Sequence, residues 1–210
     1  MIRNILLASL LGCLISSCTI EESTRFNKDF SGTSVTKVDI SAMMTFMSSM
    51  DTSNSGKGKM YQDIQKGLDS ANNSPDMQKY KLNMKFDTVS NAISVSYSFK
   101  NLDEANSIAK SVAERQQPGM TAKSTYRWEK KDKVLIMPGI EDLSQALGDQ
   151  GSNPMMQGMT ISITRSFPKT IVKVSDSRFV ISSDKKSLSL KATIDELEKN
   201  PLKDVAVTFK

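Results

Sequence analysis

The 210-residue chain has no histidine and only two cysteines, Cys13 and Cys18, both near its start. Without an imidazole, Ser-His-Asp and Cys-His catalysis are excluded, and so are zinc sites of the usual kind. With no thiol after Cys18, the rest of the chain has no disulfide and no thiol exchange. Carboxylate-pair chemistry, Ser-Lys chemistry and an oxygen-only calcium site are left open. No D-x-[DN]-x-[DN]-G loop is present for calcium. The acidic pairs Asp103-Glu104, Glu141-Asp142 and Asp195-Glu196 each stand where a helix is expected to start. Carboxylates there complement the helix dipole, so they read as caps. The chain therefore reads as non-enzymatic, with no cofactor. Charge of one sign is scarce too, at 28 basic against 23 acidic residues. The densest run, Glu129-Lys130-Lys131-Asp132-Lys133, alternates in sign like a hairpin tip. Nucleic-acid binders concentrate basic charge and interleave aromatics, so no nucleic-acid partner is expected.

What is present begins with the first eighteen residues. Met1-Ile2-Arg3-Asn4 carries one positive charge, Ile5 to Ile15 is mostly apolar, and Ser16-Ser17-Cys18 follows. A charged start, a short apolar run and small residues describe a secretory signal, removed after export. The run is about half the roughly 20 residues that a membrane-spanning helix needs. Ile15-Ser16-Ser17-Cys18 resembles the lipobox of bacterial lipoproteins, in which a diacylglyceryl group is attached to the cysteine thiol. Leu10-Leu11-Gly12-Cys13 fits the same pattern but leaves a shorter apolar core, so Cys18 is the expected lipidation site and Cys13 the alternative. The resemblance implies residues 1–17 as signal peptide, residues 18–24 as a lipidated tether and residues 25–210 as one α+β domain. Two or more acyl chains, palmitate among them, would hold such a protein on the membrane almost permanently. Thr19 stands where enterobacterial lipoproteins retained in the inner membrane carry aspartate. That analogy implies the outer membrane, facing the periplasm or the surface. Glu21-Glu22 resembles the acidic surface-export signal of Bacteroidetes lipoproteins, and a solvated tether explains it equally.

Cleavage before Cys18 takes Arg3 with it and lowers the net charge from +5 to +4. The remaining 193 residues suffice for a core without staples. Thr24 to Phe30 and Thr33 to Ile40 flank Ser31-Gly32 as a hairpin, and a helix is expected from Ser41. Residues 51–59 read as a loop, Met60 to Ala71 as a helix and Asn72-Asn73-Ser74-Pro75 as its stop. Tyr80 to Phe86 and Ile93 to Phe99 alternate apolar and polar residues, the mark of an antiparallel sheet with one wet face. Asn101 and Glu104 form a capping box for the next helix, which ends by Pro118-Gly119. Ser124 to Glu129 and Lys133 to Met137 form a third hairpin, with a helix expected over Ile140 to Leu147. Met159 to Phe167, Ile171 to Val174, Arg178 to Ser182, Ser187 to Thr193 and Asp204 to Phe209 read as strands, with a short helix at Ile194 to Lys199. The fold class is α+β. The expectation is one antiparallel sheet of about eight to ten strands, built from repeated hairpin-then-helix units, with helices mainly on one face and barrel-like closure.

Asp29-Phe30-Ser31-Gly32, the Met-rich helix and Phe167-Pro168-Lys169-Thr170-Ile171 are similar to uncharacterised Bacteroidetes lipoproteins. Their order resembles, more distantly, the LppM-like lipoproteins, whose barrel-like domain is associated with lipid binding. The resemblance covers most of residues 24–209; it implies a fold and no catalytic residue.

Methionine is abundant, at 13 residues. Met43, Met44, Phe46, Met47 and Met50 recur at helical spacing, as core or as an adaptable apolar groove for an acyl chain. Met155, Met156 and Met159 repeat the spacing. Thioethers bind Cu(I), but the usual supplement of His or Cys is missing, so core packing is the better reading. Tyr126 and Trp128 share one face of a strand, either as core or as a small sugar-stacking platform. The expected partners are the membrane, through the acyl chains, and a lipid or an envelope protein. The alternative is a structural subunit of an envelope complex with no small ligand.

Overall fold

A computed structural model describes residues 19–50, 56–116, 125–140 and 159–210. In chain order the described strands are β1 (Thr19–Phe26), β2 (Gly32–Asp39), β3 (Asn83–Asp87), β4 (Ala92–Phe99), β5 (Arg127–Glu129), β6 (Val134–Met137), β7 (Thr160–Ser166), β8 (Ile171–Val174), β9 (Val180–Ile181), β10 (Ser187–Thr193) and β11 (Val205–Phe209). The helices are α1 (Ser41–Met50), α2 (Gly56–Asn72), α3 (Pro75–Lys79), α4 (Leu102–Gln116) and α5 (Ile194–Lys199). The fold is α+β, but the strands form two sheets where one was expected. A seven-stranded mixed sheet runs β3-β4-β2-β1-β7-β10-β9, and a four-stranded antiparallel sheet runs β5-β6-β11-β8. Neither closes into a barrel. A helix follows the β1–β2 and β3–β4 hairpins, but the parallel β1–β7 contact and the second sheet break the regular repeat that was expected, and the helix expected after the third hairpin lies outside the described residues. Alternation in a strand fixes which face is buried and leaves its neighbour open. The third hairpin therefore pairs with the C-terminal strand β11 instead of extending the large sheet.

The large sheet is centred on β1. It pairs antiparallel with β2 through Glu22↔Thr36 and parallel with β7 through Glu22↔Ile163. Thr19–Phe26 is thus strand throughout, which corrects the expected tether over residues 18–24. Polar alternation in Thr-Ile-Glu-Glu-Ser-Thr-Arg-Phe resembles a solvated linker by composition, but a central strand with a mixed face has the same pattern. The first turn is made by residues 27–31, where the Asn27 amide donates to the Ser31 carbonyl at 2.7 Å. Gly32 is required just beyond it, because a β-carbon there would overlap the Arg25 carbonyl oxygen and the Phe99 ring.

Other boundaries shift for local reasons. Helix α2 starts at Gly56, inside the expected loop, and α3 adds a turn after Pro75, a residue tolerated at a helix start. Asn72 closes α2 by bonding both the amide and the carbonyl of Met84, which fastens the edge strand β3. Asn101 caps α4 through the Glu104 amide at 2.8 Å, while Glu104 reaches back to the Lys100 amide, one residue before the expected one. Ile140 opens no helix at its own position; it forms an isolated bridge to Leu202. Residues 141–147 of that expected helix lie outside the described residues. Thr193 and Glu196 make a full capping box at α5.

The core runs between the two sheets. Ile161, Ile163, Leu188 and Leu190 of the large sheet share one apolar cluster with Leu135, Met137, Val205, Val207 and Phe209 of the small one. The opposite face of the large sheet carries Ser23, Thr33, Ser96, Ser98, Thr164, Ser166 and Ser189. At one end of the core Phe26 stacks on Phe167 at 5.2 Å between ring centroids. It also meets Phe99 and Tyr126 edge-on, each at 5.7 Å.

Candidate functional site

Strand pairing sorts the inner face of the large sheet into rows, because residues opposite each other point the same way. The row nearest the start of β1 is Phe86, Ile93, Val38, Ile20, Ile161 and Ala192, all apolar. The next two rows bring Thr36 and Glu22, then Tyr97, Ser34, Thr24 and Arg165, to the middle of the same face. Polar residues on a core face are costly unless they satisfy one another. Here they do. The Arg165 Nη2 donates to Glu22 Oε1 at 2.6 Å, and Nη1 to the Thr164 carbonyl at 3.2 Å. The hydroxyls of Thr24 and Ser34 lie 3.2 Å apart.

Burial divides the ion pair unequally. The Arg165 side chain is 7% exposed and that of Glu22 31%. Desolvation alone would lower the guanidinium, but Glu22, Tyr126 and Tyr97 raise it above its ordinary value, so the charge is kept inside. Burial pushes the Tyr126 phenol up to about 12, although Arg165 opposes the shift, and Tyr97 is raised mainly by burial as well. Between pH 10 and 12 an unfolded chain releases the Tyr126 proton and the folded chain keeps it. Stability present below pH 10 is therefore lost as pH rises through that window, by about 2–3 kcal/mol. Denaturant midpoints at pH 9.5 and 11.5 test this: Tyr126→Phe flattens the decline, and a decline parallel to that of the unmodified protein contradicts the assignment.

Around this polar stripe the face is only half covered. Ile20, Val38, Ile93, Val95, Met84 and Phe86 are half-buried, whereas Ile161, Ile163, Leu190 and Ala192 on β7 and β10 are buried. The arrangement is an apolar wall with a carboxylate partly open to solvent and a buried guanidinium behind it. It can hold an amphipathic molecule, the apolar part along the rows and a polar group at Glu22. Nothing in it activates a nucleophile.

The residues singled out by spacing fare differently. Met44 is 4% exposed and belongs to the core, while Met43 is 40% exposed. Neighbours on a helix point about 100° apart, so the two do not line one groove. The side chains of Phe46, Met47 and Met50 lie outside the described residues, as do Cys13, Cys18, Met155 and Met156; Met159 is buried. Trp128 packs against Phe30 at 4.7 Å and Phe209 at 6.1 Å, with the Lys169 ammonium 4.7 Å above its ring. With Tyr126 turned to Phe26, these rings read as packing. A polar cleft of about 460 Å³ lies between Ser175–Arg178 and Asn200–Asp204. Its Arg178 is consumed by Asp176, at 2.6 Å, and by the carbonyls of Asn200 and Pro201, so it acts as a clamp.

Composition missed Glu22 and Arg165, although period two held the signal. Ile161, Ile163 and Arg165 fall on one side of β7, and a charge in a buried position requires a partner. No protein-family model, curated protein or solved structure matches the chain. No helix among the described residues is long and apolar enough to cross a membrane.

Proposed function

We propose that this chain is a bacterial envelope lipoprotein, acylated at Cys18. Its domain is a non-enzymatic binding module for an amphipathic, lipid-like ligand. The ligand lies on the half-covered inner face of β1, β2 and β4, with its polar group at Glu22 and Arg165. The observation that carries the reading is the half-buried apolar row from Phe86 to Ile20 beside a carboxylate with 31% of its surface exposed. An ion pair placed only for packing has no need of a half-buried apolar wall beside it. The lipobox-like Ile15-Ser16-Ser17-Cys18 supports the anchor, and outer-membrane residence follows from Thr19 by the analogy above.

Native mass spectrometry of the chain extracted from its own membranes tests the ligand. The expected result is a stoichiometric lipid adduct that is lost when Val95→Glu places a second carboxylate on the wall. A bare polypeptide of one mass contradicts lipid carriage and directs the search to cross-linked envelope proteins.

A further inference from the structure

The chain between the proposed anchor and the fold has no length to spare. Thr19 is already paired with Thr160, and Ile20 with Val38 on the other side. Cys18 is one peptide bond away, so its Cα lies about 3.8 Å from that of Thr19. A central strand held on both sides does not unravel to lengthen a tether without opening the sheet. Acyl chains on Cys18 therefore bring one particular end of the large sheet to the bilayer.

Strand directions identify that end. Thr160 at the start of β7, Thr193 at the close of β10 and Asp39 at the close of β2 are level with Thr19. Asp39 pairs with Ala92, and Ala92 with Asp87, so the turn between β3 and β4 projects from the same end. At its apex stands Val89, 92% exposed. The turn is braced: Asp87 accepts from the Val89 and Ser90 amides and from the Ser90 hydroxyl, and Asn91 takes a positive φ of 47°. A bare apolar side chain on a braced turn, at the same end of the sheet as the strand that leads to the anchor, has the bilayer interface as its natural contact.

We propose that the domain stands on the membrane by the Thr19 end of its large sheet, with Val89 and the β3–β4 turn seated in the lipid interface. This rests on acylation at Cys18. Most carboxylates at this end are engaged: Glu21 lies opposite Lys37, and Asp195 in the first turn of α5 is the exception. Asp39 accepts the Ser41 amide, Asp87 is consumed in its turn and Glu196 in the α5 cap, while Lys37 and Lys85 flank the turn on the outer face. The orientation also ranks the rows of the inner face. The wholly apolar row from Phe86 to Ala192 lies nearest the bilayer, and the Glu22–Arg165 stripe lies farther from it. A lipid leaving the membrane would enter polar end first, leaving its chains along the apolar row.

The test uses the full-length, membrane-processed protein in vesicles of phosphatidylcholine with and without brominated acyl chains. Val89→Cys and Lys185→Cys each carry one thiol-reactive fluorophore. Lys185 sits in the β9–β10 turn at the opposite end, about 20 Å away along the strands. The expected result is quenching several-fold stronger at position 89 than at 185. Equal quenching at the two positions, in protein whose mass confirms acylated Cys18, overturns the orientation and leaves the anchor standing. A mass that shows unmodified Cys18 removes the premise and overturns the proposal by a separate route.

Discussion

Glu22→Ala lowers unfolding stability by about 3 kcal/mol or more, and Arg165→Met by only about 1–2 kcal/mol. The asymmetry follows from burial. Removing the carboxylate strands a guanidinium whose side chain is 7% exposed, and an uncompensated buried charge is strongly destabilising. Removing the guanidinium leaves a carboxylate that already reaches solvent, and methionine fills most of the vacated volume. The double variant Glu22→Leu/Arg165→Met recovers most of the loss, because a buried pair exchanged for apolar groups of similar size is often neutral. Urea titrations with unchanged slope measure all three. Equal losses in the two single variants would contradict the unequal burial on which the proposed binding face depends.

The second large effect is at Phe26. Phe26→Ala costs about 3–5 kcal/mol, the range for deleting a buried aromatic ring. Phe26 is 3% exposed, stacking on Phe167, which itself meets Phe209 of the small sheet, and meeting Phe99, Phe30 and Tyr126 at their edges. Such pairs add about 0.5–1.5 kcal/mol beyond the area they bury. Phe26→Leu keeps most of the buried area and loses the ring geometry, so its cost is smaller. A Phe26→Ala variant within 1 kcal/mol of the unmodified protein would show that the two sheets do not depend on this cluster.

Period-two strands were largely legible. Tyr80 to Phe86 and Ile93 to Phe99 alternate, and β3 and β4 largely coincide with these stretches, β3 starting three residues later and each strand running one residue further toward the turn between them. Helix starts with a side-chain cap, at Asn101 and Thr193, were legible as well, because a cap is a local bond between residues three apart. Pairing was not. Whether β6 joins β4 or β11 depends on residues about 70 positions away, and no local pattern encodes that choice. The parallel contact of β1 with β7 is more distant still, with 143 positions between Glu22 and Arg165, and it decides where Arg165 finds Glu22. The Met stripe of α1 misled in a different way. Helical spacing marks an apolar face without saying which of its residues protein covers, and buried Met44 stands beside exposed Met43.

The proposed anchoring and orientation both depend on one bond, a thioether at Cys18. Mass analysis of the N-terminal peptide from membrane-extracted protein measures it most directly, with Cys18→Ser and Cys13→Ser chains in parallel. The account predicts a mature chain that begins at a diacylglyceryl-modified Cys18. It also predicts that Cys18→Ser abolishes palmitate incorporation and membrane retention, and that Cys13→Ser leaves both intact. A mature chain that begins elsewhere without lipid, or one acylated at Cys13, would contradict it.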